Sequence, residues 1–269
     1  MTNIDLILKP HRRIRRLFAD LSQTDLVYLA HCILVLLLTL FVWIALFMLP
    51  IHGGSAPQSE LARFGVHLVF WQVMMLAMML PIGLPMMRTY LDIARAARDK
   101  GEQNFAHGGW LITGYVIIWA LVSPLGAAIH YIFALHANIS LADDPALALF
   151  ASAAIFALAA LYQWSKLKMI CLEKCRPSII WFMSHWRAGR TGALVMGLWQ
   201  GGWCVGCCWA LMAVMIASGA LHMIVMALLM LVMLGEKLLP SPRFFARLIG
   251  VILGAVAIAL AGTAFFLSS

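Results

Sequence analysis

The chain has 269 residues, of which 64% are hydrophobic and 11% charged, with a mean hydropathy of +0.93. A soluble domain is about half apolar and about a quarter charged, so this balance excludes one and predicts an all-α integral membrane protein. The net charge of +8 would suit nucleic acid, but the placement of the charges assigns it elsewhere.

Residues 1–25 form a basic arm. Its ILKPHRRIRRLF stretch suits the anionic headgroups of a cytoplasmic leaflet. Residues 26–267 read as one transmembrane helical domain with seven apolar segments, at 26–49, 64–87, 110–134, 145–165, 191–217, 220–235 and 245–267. Most can cross a ~30 Å hydrocarbon core at ~1.5 Å per residue; the sixth is the shortest. The first is too long for a signal-peptide core and is expected to be a retained anchor. With the N-terminus inside, 18 of the 19 Lys and Arg fall on the cytoplasmic side, in the arm and in 88–100, 166–190 and 237–247. Only Arg63 falls outside. This asymmetry predicts an N-in, C-out bundle of about seven helices and leaves no positive surface for nucleic acid.

The second segment carries Pro81 and Pro85, which predict a kink or an early end. Its Met75, Met78, Met79 and Met86 share one helical arc with Trp71 and His67, from roughly −80° to +40° about Met75. The 166–190 loop opens with KLKMICLEKCRPS, which puts Cys171 and Cys175 at i, i+4. The lysines and arginines around them are expected to lower a thiol pKa. The pair could be a metal-entry site, a redox pair or chance. SIIWFMSHW at 178–186 predicts a short interfacial helix with Trp181 and Trp186 at headgroup depth.

The fifth segment contains GGWCVGCCWALMAVM at 201–215. At ~100° per residue, Cys204, Cys207, Cys208, Met212, Met215 and Gln200 occupy one arc of roughly 140°, with Trp199 and Trp209 opposite. Gly197-x-x-x-Gly201 and Gly202-x-x-x-Gly206 predict close helix approach. About two residues separate this segment from the sixth, so the two are expected to form an antiparallel hairpin. That hairpin would place Met212 level with Met226 and Cys208 level with Met230, with His222 and His67 near the outer mouth. Twelve of the sixteen methionines after Met1 lie in 74–87, 212–215 and 223–233, and the third, fourth and seventh segments have none. Packing alone predicts scatter.

Soft thiolates and thioethers select Cu(I); thiolates alone would also hold Zn(II) or an iron–sulfur cluster. The candidate ligands are Cys204, Cys207, Cys208 and Met212, with Met75, Met79, Met226, Met230 and His222 behind them and Cys171 and Cys175 in the loop. No catalytic set is read from the sequence, and no ATP-binding G-x-x-x-x-G-K-[ST] is present.

Together, WQVMMLAMMLP, YQWSKLKMICLEKCRP, GGWCVGCCWALM and GEKLLP resemble a bacterial family of uncharacterised proteins, described as predicted metal-binding integral membrane proteins. The resemblance runs from about residue 65 to 262, and the family's GCCW element falls on Gly206, Cys207, Cys208 and Trp209. It implies metal binding in a bacterial inner (cytoplasmic) membrane. The expected function is Cu(I) transport, delivery or homeostasis. The partners would be the lipid bilayer, the metal ion and a metallochaperone or acceptor protein. Two alternatives stand beside it: a membrane thiol-disulfide oxidoreductase using Cys204 and Cys208 with Cys171 and Cys175, and a scaffold subunit whose sulfurs only pack.

Overall fold

The computed structural model describes residues 23–48, 59–98, 107–136, 145–176, 179–217 and 223–268. Residues 1–22 of the basic arm, His222 and the 218–219 turn lie outside them. The described residues form a helical bundle: α1 Gln23–Met48, α2 Glu60–Arg98, α3 Gly108–His136, α4 Pro145–Gln163, α5 Lys166–Cys175, α6 Ile179–Ser184, α7 Gly189–Ala217, α8 Met223–Leu238 and α9 Pro242–Ser268. Five of these, α2, α3, α4, α7 and α9, are long and apolar enough to cross a membrane. A helix meets its own backbone hydrogen bonds, which is why such segments are helical in a solvent that offers none. α8 has 16 residues, as the short sixth segment predicts.

α2 and α7 are the most enclosed of the five, while α4 and α9 bury the smallest share of their residues. Leu121, Leu125, Ile258 and Phe266 are among the exposed apolar side chains, an outer surface suited to lipid rather than water. α7 packs along α3, with α4 and α5 also against it; α9 packs on α4, and α1 on α2. Met74, Met75, Met78, Met79, Met86 and Met87 of α2 are all buried. The prolines do not end α2, which runs on to Arg98. Trp181 of α6 is also turned inward, while its neighbours Ile180 and Met183 are exposed. Trp186 stacks on Tyr90 at 5.4 Å, so packing rather than headgroups takes these indoles.

The glycines of α7 divide by face. A Cβ on Gly197 would collide with the Leu111 carbonyl oxygen of α3, and one on Gly201 would lie 2.8 Å from Ile118 Cβ. A Cβ on Gly202 would meet nothing within 4 Å. The first small-residue pair is therefore the α3 contact, and Gly202 is not part of it. Gly197→Ala is expected to destabilise the bundle by about 2 kcal/mol through overpacking against backbone that cannot yield. Gly202→Ala should leave stability unchanged. Thermal unfolding of the two variants in detergent separates them.

Candidate metal centre

Cys204 and Cys207 stand three residues apart on α7, a spacing that brings two side chains onto one helix face. The third thiol comes from elsewhere. Cys175 is the last residue of α5, and the sulfurs of Cys175, Cys204 and Cys207 all lie within 4.8 Å of one another. All three residues are buried. Among the described residues this is the group of His, Cys, Asp and Glu side chains that could hold a metal ion.

Several contacts fix α5 and the end of α4 against α7 and α8. Ser165 caps the start of α5, its hydroxyl accepting from Lys168 N at 3.1 Å. Just before it, Tyr162 donates to the Gly206 carbonyl at 2.5 Å. At the far end, Gln200 Nε2 donates to the carbonyl of Lys174, beside Cys175, at 3.3 Å. Lys168 Nζ pairs with Glu236 of α8 at 2.7 Å, both side chains almost wholly buried. Gly206 makes room: a Cβ there would lie 2.8 Å from Cys171 Sγ. The glycine of the GCCW element is thus where α5 settles on α7.

These contacts correct the reading of Cys171 and Cys175 as a separate loop pair. Cys175 belongs with the α7 thiols, while Cys171 is buried against Gly206 and lies outside the three-sulfur group. The expected lowering of their thiol pKa values is also overturned. Burial raises Cys171 and outweighs the effect of Lys174. Burial, then hydrogen bonding with Cys204 and Cys207, holds Cys175 well above the usual thiol range. The nearby cations face elsewhere: Lys168 toward Glu236, and Lys174 over the Trp203 ring at 4.1 Å.

Two polar groups that sequence reasoning passed over converge on Cys204. Tyr115 Oη of α3 lies 3.2 Å from its sulfur. Lys237 Nζ of α8 donates to the same sulfur at 3.3 Å. In the expected hairpin register Cys204 is level with Leu234, and Lys237, one turn beyond, reaches back. Its only sequence cue was a basic residue within the GEKLLP element. Tyr115 gave none.

The remaining candidates spread through the bundle. Cys208 lies outside the three-sulfur group, its Sγ 3.0 Å from the Cys204 carbonyl oxygen. Met75, Met79, Met212 and Met226 are buried in the same core as the cysteines, and Met230 is half-buried against it. Trp199 and Trp209 are exposed while the sulfurs of α7 face inward, as the helical arc predicts. His67 is not with the thiols. Its ring lies 4.9 Å from His130, and its Nδ1 sits 2.9 Å from the Arg63 carbonyl oxygen. His222 lies outside the described residues.

Three buried sulfurs on two helices, with a hydroxyl and an ammonium beside them, form a soft donor set for a soft metal ion. No curated protein and no solved structure gives a significant match to the chain. Residues 68–260, most of the chain and all of the centre just described, match the family described as PpoB2, copper chaperone; the chain belongs to this family.

Proposed function

We propose that the protein is a multi-pass protein of a bacterial inner membrane that takes Cu(I) as cargo on Cys175, Cys204 and Cys207 and delivers it to an acceptor protein. The observation that carries the reading is the meeting of three buried thiols from α5 and α7. Thiolate sulfur suits Cu(I), and a structural zinc site takes four ligands where this group supplies three. The charge asymmetry of the loops supports an N-in, C-out arrangement with α5 on the cytoplasmic side.

Delivery needs a ligand that can let go. Cys204 and Cys207 sit in the middle of a 29-residue helix and cannot leave it. Cys175 ends a ten-residue helix, so a small shift of α5 opens one coordination position. An incoming acceptor thiolate then forms its bond to copper as the Cys175 bond breaks. The metal stays Cu(I) throughout, and no electron moves. Cys208, Met212, Met75, Met79, Met226 and Met230 supply further soft positions along the core.

The test is copper stoichiometry. Protein purified under reducing conditions and loaded with Cu(I) should retain one equivalent per chain against a competing chelator. No retained copper would end this reading.

A further inference from the structure

The two buried lysines among the described residues differ in their partners. Lys168 has Glu236 at 2.7 Å. Lys237 is 5% exposed, and no carboxylate pairs with it among the described residues. Adjacent positions on a helix point ~100° apart, so Glu236 and Lys237 face different neighbours. An ammonium buried in an apolar bundle without an opposite charge is costly. The groups that face Lys237 are the Cys204 sulfur at 3.3 Å, the Cys175 and Cys207 sulfurs clustered with it and the Tyr115 hydroxyl on the Cys204 sulfur. The counter-charge within its reach is therefore a thiolate at Cys204.

We infer that Lys237 is a specificity residue that makes the three-sulfur centre favour a singly charged soft ion over a doubly charged one. The inference rests on the metal reading of that centre. A fixed positive charge beside the sulfurs stabilises whatever anionic complex forms there. It also repels the ion within the complex, and a divalent ion is repelled twice as strongly as a monovalent one. One extra unit of charge about 5 Å from Nζ, at an effective dielectric of about 20, corresponds to a factor of about 250 in relative affinity. Tyr115 carries no charge and can donate to the same sulfur once it is a thiolate, so it stabilises the complex of either ion without choosing between them. Sulfur supplies softness; the lysine supplies the charge preference.

The experiment uses Ag(I) and Cd(II), two soft ions that differ in charge. Their affinities are measured by chelator competition on the purified full-length protein under reductant. Lys237→Met is expected to lower the Ag(I)-to-Cd(II) affinity ratio about 250-fold. Lys237→Arg, which keeps the charge, should hold the ratio near that of the wild type. Tyr115→Phe should weaken both ions alike and leave the ratio unchanged. Lys237→Gln gives the same reading should the methionine variant not fold. An unchanged ratio in either neutral variant, with both ions still bound, overturns the assignment of Lys237 while leaving the metal centre standing. Binding of neither ion by the wild type overturns both.

Discussion

Cys204→Ser is expected to remove stoichiometric Cu(I) from the purified protein. Cys204 is the hub of the centre. Its sulfur belongs to the three-thiol group, receives the Lys237 ammonium and lies against the Tyr115 hydroxyl. A serine hydroxyl is a hard, neutral donor and replaces neither the softness nor the negative charge of the thiolate. The loss should exceed the roughly 10–100-fold cost typical of removing an outer-shell partner. Cys208→Ser should fall within that smaller range, because Cys208 contacts the Cys204 backbone and stands outside the group. Met212→Leu keeps volume and apolarity, so it should change copper content least. Copper measured per chain at equal expression gives the order. Equal copper in wild type and Cys204→Ser would reduce these sulfurs to packing.

Glu236→Ala is expected to be the most damaging change to stability. Lys168 and Glu236 are 1% and 2% exposed at their side chains. Removing the carboxylate strands a buried ammonium, a loss of about 3–5 kcal/mol where such pairs have been broken. The effect reaches the metal centre because this pair ties α5, and with it Cys175, to α8. Lys168→Met combined with Glu236→Leu should recover much of the stability, since an apolar pair can replace a buried ion pair with little net cost. Thermal unfolding of the single and double variants measures both steps. A double variant no more stable than Glu236→Ala would show that the cost lies in lost shape rather than in the stranded charge.

Periodicity within single helices made part of this centre legible. The arc that collects Cys204, Cys207 and Cys208 away from Trp199 and Trp209 is a property of α7 alone, and burial follows it. On α2 burial runs beyond the predicted arc, since Met74 and Met87 outside it are as buried as Met75 and Met79. Which helices meet is a different kind of information. Cys175 lies 29 residues before Cys204 in the sequence, and its i, i+4 spacing with Cys171 suggested a local pair. Nothing in that spacing says that α5 folds back onto Gly206. Gly206 itself was read as one half of a small-residue contact, and its neighbour turned out to be Cys171 of α5. Lys237 misled for a related reason. A cation at the end of an apolar helix ordinarily reaches for the interface, and only the position of α7 shows that this one turns inward. Tyr115 is one aromatic residue among many until α3 and α7 are set side by side. Backbone-to-backbone contact at Gly197 and Leu111 allows that approach.

The most direct test of the three-thiol centre is X-ray absorption of the Cu(I)-loaded protein beside the loaded Cys175→Ser variant. Cys175 is the ligand that only the folding of α5 onto α7 can supply. Three sulfur neighbours around copper in the wild type and two in the variant are the expected result. The same sulfur count in both proteins would contradict the joining of α5 and α7 at the metal.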